Sequence, residues 1–168
     1  MTPRLVVFAG LPGVGKSTLA ARVGAALPAP VLTVDRVDRV LREHEVVETA
    51  PGVTAYGVVA ALAEAQLAMG LTVVVDAVNP VAAARATWPV LCERTGAALR
   101  IVEVWCGDMA EHRRRVETRH AAAPDGNPTW EQTVLRMAEY EPYVGRRLVV
   151  DTSAGGDPLA GTLAWIRD

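Results

Sequence analysis

Residues 10–17 read Gly10-Leu11-Pro12-Gly13-Val14-Gly15-Lys16-Ser17 and join two runs of different periodicity. Upstream, Leu5-Val6-Val7-Phe8-Ala9 is continuously apolar, the pattern of a parallel strand buried on both faces. Downstream, Leu19, Val23 and Leu27 recur at helical spacing. Glycines at 10, 13 and 15 allow backbone angles that turn successive N–H groups inward, and the helix opening near Lys16 adds the positive end of its dipole. A buried strand, an inward-facing loop and a helix N-terminus in succession make an anion cradle.

Lys16 is the only lysine in 168 residues; the remaining basic side chains are sixteen arginines. Where a basic group serves solubility, this chain uses arginine, so the ammonium at position 16 needs its own explanation. A slim, flexible ammonium lies along a phosphate chain where a forked guanidinium is too bulky. The eight residues satisfy G-x-x-x-x-G-K-[ST], in which the lysine reaches the β- and γ-phosphates of a nucleotide and the hydroxyl ligates Mg²⁺. Gly10, Leu11, Pro12, Gly13, Val14, Gly15, Lys16, Ser17 and Thr18 are therefore the expected ATP-binding residues, with Ser17 as a metal ligand.

A length of 168 residues with 51% hydrophobic content fits a single domain, 1–168, with an ample core. The net charge of -2 gives no global attraction to nucleic acid or anionic membranes. Cys92 and Cys106 are too few for a disulfide framework, and the chain opens directly into a core strand, so a cytoplasmic protein is expected. The longest uncharged stretch, 49–63, is interrupted by Pro51, Gly52 and Gly57 and falls short of a membrane span.

Further along, the pattern predicts a strand at 31–34 and a helix from Asp35 to about His44. A loop follows at 45–53, then a helix at about 54–69 with Val58, Leu62, Ala65 and Met69 on one face and Gly70 as its stop. Leu71 to Asp76 reads as a strand ending in a carboxylate. Asn79-Pro80 reads as an N-cap with proline at the first helical position, opening a helix that runs to Gly96. Leu99 to Cys106 is the fourth strand. Asp108 to Glu111 and Thr129 to Gln132 have capping-box form and open helices to about Arg119 and Tyr140, with a breaker-rich loop at 121–128 between them. A last strand at 147–150 and a helix opened by Asp157-Pro158 complete an alternation that implies a parallel sheet covered on both faces.

Ligands in such sheets collect at the carboxyl ends of the strands. Asp76, after an apolar strand beside the phosphate loop, can hold Mg²⁺ directly or through water; its structural alternative is a turn residue. Asp35 is the leading catalytic candidate, a carboxylate able to orient an attacking hydroxyl and accept its proton; its alternative is N-capping. Asp38, three residues on, is either a second substrate contact or a solvated charge. Asp108 and Asp151 read as cap and turn residues. Arg115 and Arg119 share a helix face while Val116 packs inward, so both guanidiniums can offset phosphoryl charge; Arg113 and Arg114 read as solvated partners of Glu111 and Glu117. His44, His112 and His120 lack metal-ligand spacing and read as surface residues, and the four tryptophans as packing residues.

Gly10 to Thr18, the Asp35 helix, Val73 to Asn79 and the Arg115-x-x-x-Arg119 segment together resemble P-loop kinases of the adenylate-kinase-like and polynucleotide-kinase-like class, AAA-type ATP-binding proteins that include gluconate, adenylylsulfate and chloramphenicol kinases. The resemblance implies a three-layer α/β fold with a five-stranded parallel sheet of order 2-3-1-4-5 and a mobile arginine lid at about 115–129. It implies ATP and Mg²⁺ as ligands, Asp35 as the base, and Asp35, Asp38, Asp76 and Asn79 on the acceptor side. The stretch from Val73 to Pro80 is similar to the D-T-N segment of 5'-hydroxyl polynucleotide kinases, which keeps a nucleic-acid acceptor as an alternative; a non-catalytic nucleotide switch is another. The chain departs from polynucleotide kinases at Asp38, where many relatives carry arginine. A second carboxylate there repels anions, so the expected acceptor is neutral, polyhydroxylated or amine-bearing.

Overall fold

The computed structural model describes residues 2–46 and 52–168. Five strands form one parallel sheet: β1 (Arg4–Ala9), β2 (Val31–Thr33), β3 (Val73–Asp76), β4 (Ala98–Trp105) and β5 (Leu148–Asp151), in the order β2-β3-β1-β4-β5. This is the order that the family resemblance implies. The register brings Phe8, Asp76 and Thr33 level with one another across the carboxyl ends of β1, β3 and β2. On the other side, Trp105 pairs with Asp151.

Alternation along β1 divides the core. Leu5 and Val7, with Val73 and Val75, face α3 (Val53–Ala68) and α5 (Thr87–Thr95), while Val6, Phe8 and Val74, with Val102 and Val104, face α1 (Lys16–Ala26) and α8 (Leu159–Arg167). All five residues Leu5 to Ala9 are fully buried, as their uninterrupted apolar run requires of a central parallel strand. The connections also carry α2 (Val34–Glu43), the short α4 (Ala82–Arg85), α6 (Met109–Ala122) and α7 (Trp130–Glu139).

Three expectations need correction. Helix α3 buries Ala55, Val59, Ala63 and Leu67, and the stripe read from the sequence is turned outward, with Val58, Leu62 and Met69 exposed. The helix is apolar on most of its circumference, so periodicity alone cannot choose a face; the sheet takes the stripe containing Ala55 and Ala63, whose small side chains permit close approach. Nor does a helix begin at Asn79. Asn79 has φ 52, Val81 is the N-cap of α4, and the helical path breaks at Ala86 before α5. The Asn79 side chain is instead drawn into the core, for reasons given below. The Thr129–Gln132 box is complete, with reciprocal bonds of 3.2 and 3.0 Å, but Glu111 leaves its box: Asp108 caps α6 alone and Glu111 turns to arginines.

Candidate active site

The loop between β1 and α1 is folded as its glycines allow. Gly10, Gly13 and Gly15 have φ of 145°, 81° and 95°, a region that side chains with a Cβ rarely enter. At Gly10 the constraint is also one of contact, since a Cβ would lie 2.1 Å from the Val104 carbonyl oxygen. β4 thus presses directly against the loop, and the Gly10 N–H is held by the Val78 carbonyl at 3.2 Å.

Lys16 opens α1 and is 4% exposed. Among the described residues its ammonium forms no ion pair. A buried cation without a carboxylate is costly unless an anion is supplied. At the end of β3, the strand paired with β1, Asp76 is 3% exposed, and among the described residues its Oδ1 has no hydrogen-bond partner. A buried orphan carboxylate oxygen on the strand adjoining the loop is a hard donor of the kind Mg²⁺ takes, and the exposed Ser17 in the first turn of α1 is a second.

A cleft of about 560 Å³ opens along the loop. Gly13, Gly15, Ser17 and Thr18 form one wall, Arg115 and Arg119 of α6 another, and Thr152 and Pro158, beyond β5, a third. Arg115 is fixed by Glu111, which accepts from Nε at 2.8 Å, and by the Thr152 hydroxyl, 2.8 Å from Nη1. Hydrogen bonds from Arg114 and Arg115 lower the Glu111 carboxyl to about 2, so this anchor stays charged at any ordinary pH. Arg119 reaches the Asn127 side chain at 3.2 Å, and the His120 Nδ1 lies 2.9 Å from the Asn127 carbonyl, which ties the loop following α6 back to the helix. Arg113 and Arg114 pair with Glu117 and Glu111 on the solvent side.

Asp35 and Asp38, two of the carboxylates expected on the acceptor side, fall in α2. Asp35 lies in its first turn and is exposed, while Thr33 occupies the N-cap position, so Asp35 is not a cap. Asp38 is bonded by Arg42 one turn on, an ion pair that offsets part of the charge expected to repel anions. Tyr56 of α3 is packed 5.9 Å from Trp88, and its hydroxyl accepts the Asn79 N–H at 3.0 Å. Burial pushes this phenol up to about 12, and the nearby Asp35 charge adds to the rise.

Asn79 departs from its expected role. It is fully buried, its Oδ1 accepts the Trp88 indole N–H at 2.8 Å, and its Nδ2 donates to the Phe8 carbonyl at 3.3 Å. The amide therefore braces the end of β1 against α5, and both of its polar atoms are already engaged. The surface reading of His112 is likewise corrected: it is 1% exposed, with Nε2 2.7 Å from the Pro12 carbonyl oxygen and the ring edge-on to Trp130. Its spacing of four from the inward-facing Val116 was a usable signal. Trp105, read as a packing residue, is instead 58% exposed at the end of β4. Arg85 was missed altogether. It donates to the carbonyls of Asn79, Pro80, Glu141 and Pro142 and stacks 3.8 Å over the Tyr143 ring, joining the turn after β3 to the segment before β5.

These features define a P-loop domain with a cleft along its glycine-rich loop. The chain belongs to the AAA domain family, whose model matches residues 5–142. No match is found among curated proteins. Among solved structures, the chain is similar to Chaetomium thermophilum Kti12 in complex with ADP-AlF3, with TM-score 0.74 and 17% identity over 97% of this chain and 95% of that one. It is similar to the Mycobacterium tuberculosis APS kinase CysC in complex with AMPPNP and APS, with TM-score 0.72 and 22% identity over 99% and 96%. A gluconokinase from Sinorhizobium meliloti aligns with TM-score 0.64 and 19% identity over 98% and 90%. At these identities the likeness is one of fold. No helix among the described residues is long and apolar enough to cross a membrane.

Proposed function

We propose that the protein is an ATP-dependent kinase that transfers the γ-phosphoryl group to a hydroxyl of a small molecule. The observation that carries this reading is the buried Lys16 at a glycine cradle, ionically unpartnered among the described residues, with the orphan Asp76 Oδ1 at the end of the adjoining strand. One element supplies a cation that lacks an anion, the other an anion that lacks a cation. Mg-ATP satisfies both.

Lys16 and the amides of residues 10–17 would hold the phosphate tail; Ser17 and Asp76 would hold Mg²⁺, which when bound offsets charge on the β- and γ-phosphate oxygens. Asp35 orients the acceptor hydroxyl and takes its proton as the acceptor oxygen bonds to the γ-phosphorus and the bond from that phosphorus to the β,γ-bridging oxygen breaks, leaving ADP. Arg115 and Arg119 line the cleft from α6, where they can stabilise the transferring group. Kinases acting on small molecules, APS kinase and gluconokinase, share the fold, which supports the acceptor class without choosing within it. The Asp38–Arg42 pair offsets part of the charge expected to repel anions, and the preference for neutral or amine-bearing alcohols rests on what remains of it together with the exposed carboxylate of Asp35.

The test is a panel of sugars, sugar acids, amino alcohols, nucleosides and a 5'-hydroxyl oligonucleotide incubated with Mg-ATP and scanned for a mass gain of one phosphate. One small-molecule acceptor should gain phosphate with the wild type and not with Asp35→Asn. Phosphate on the oligonucleotide alone would move the reading to polynucleotides. ATP binding with no acceptor modified would move it to a nucleotide-dependent switch.

A further inference from the structure

Two contacts behind the phosphate loop, one buried and one half-buried, come from outside the sequence motif. In a trans peptide the C=O and the following N–H point in opposite directions, so fixing one fixes the other. The Pro12 carbonyl is met at 2.7 Å by Nε2 of His112; a carbonyl only accepts, so Nε2 carries the proton. The Val14 carbonyl is met at 2.7 Å by Oγ1 of Thr152. That oxygen also receives Arg115 Nη1 at 2.8 Å and lies 3.2 Å from the Trp105 carbonyl; with one proton to give, it serves the nearer Val14. The two contacts hold alternate peptides of the loop from behind.

Both supports are built into the fold. His112 is 1% exposed and wedged edge-on against Trp130, whose ring centroid lies 5.4 Å away. Thr152 is fixed by its own N–H to the Trp105 carbonyl at 2.9 Å, and a Cβ on Gly15 would come within 3.3 Å of its methyl group. We propose that His112 and Thr152 are positioning residues for the phosphate site: by holding the Pro12 and Val14 carbonyls outward, they aim the Gly13 and Gly15 N–H groups at the bound polyphosphate. The inference rests on the proposed nucleotide site and adds two residues, about 100 and 140 positions downstream of the loop, that set its peptide planes. Through Thr152 it also links the loop to Arg115, so the arginine wall and the amides of the cradle share one hydrogen-bond chain.

The experiment is calorimetric titration of inorganic tripolyphosphate and Mg-ATP into the full chain, with amide NMR of Gly13 and Gly15. Thr152→Val keeps side-chain shape and removes the donor, and Thr152→Ser keeps the donor; His112→Leu and His112→Gln form the matching pair. An amide hydrogen bond to a charged phosphate that is lost through misalignment is worth about 1.5–3 kcal/mol, or roughly ten- to 150-fold in affinity. Thr152→Val and His112→Leu should weaken tripolyphosphate by that factor and blunt the ligand-induced shifts of the Gly15 and Gly13 amides respectively. The serine and glutamine variants should stay within about threefold of wild type on the same scale. Folded Thr152→Val that binds tripolyphosphate like wild type, or loss that serine does not restore, overturns the proposal, and this arm stands even if His112→Leu fails to fold. A wild-type chain that takes up neither ligand refutes the phosphate site itself, a different result from wild-type binding that is indifferent to these variants.

Discussion

Replacing Gly13 with alanine probes the seating of α6 on the phosphate loop. The glycine has φ 81°, and forcing a Cβ into the left-handed region costs about 1–2 kcal/mol. That Cβ would also lie 2.5 Å from Cγ2 of Val116 and 3.3 Å from Cδ2 of His112, and overpacking of this kind costs about 1–3 kcal/mol. Gly13→Ala should therefore destabilise the chain by about 2–5 kcal/mol in chemical denaturation. Val116 is 2% exposed, and Val116→Ala alone should cost about 2 kcal/mol for the lost methyl groups and the void. The double variant removes the offending methyl group, so only the backbone strain and a partly refilled void remain. Its cost should fall short of the sum of the singles by about 0.5–3 kcal/mol, the range typical of residues in contact. Strict additivity would show that α6 does not bear on the loop at this point, and the packing described here would be wrong.

Other expectations follow from buried polar groups. All three tyrosines are held neutral: burial raises Tyr56 to about 12 and pushes Tyr140 and Tyr143 higher still. A phenol whose folded value exceeds its unfolded value near 10 contributes its stability in full below pH 10 and loses it as the pH climbs toward the folded value. Tyrosinate absorbance should stay flat through pH 10 and rise only as near-UV circular dichroism is lost; a phenol titrating near 10 in native protein would contradict this. Arg85→Ala removes hydrogen bonds to four backbone carbonyls and the stack on Tyr143, and with partial solvent access it should cost about 1–3 kcal/mol by denaturant titration. Arg85→Lys should recover less than half of that, because an ammonium cannot reproduce the fork; full recovery would reduce Arg85 to a point charge.

The strands were legible because a parallel sheet leaves its chain few choices. An apolar run such as Leu5 to Ala9 can satisfy burial on both faces only at the centre of such a sheet, and the glycines after it mark where the chain must turn. The phosphate loop was legible for the same reason: its chemistry resides in consecutive residues. What sequence could not give depends on three-dimensional choice. Helix α3 offers two apolar stripes, and only the sheet selects Ala55 and Ala63. Asn79 has the composition of a cap, yet the buried indole of Trp88 nine residues away needs an acceptor and takes its side chain. His112 and Thr152 serve the loop across about 100 and 140 residues of chain, a separation over which no local pattern operates. Arg85 escaped notice because its partners are backbone carbonyls, which any sequence supplies.

The central claim is that a nucleotide triphosphate tail completes the charge balance of Lys16. Isothermal titration calorimetry of Mg-ATP into the wild-type chain and into Lys16→Ala measures this directly. Wild type should bind one equivalent, and the alanine variant, folded by circular dichroism, should bind at least about tenfold more weakly, the factor set by loss of one charge-assisted bond. Equal affinity in the two proteins, or no heat from the wild type at all, would contradict the account.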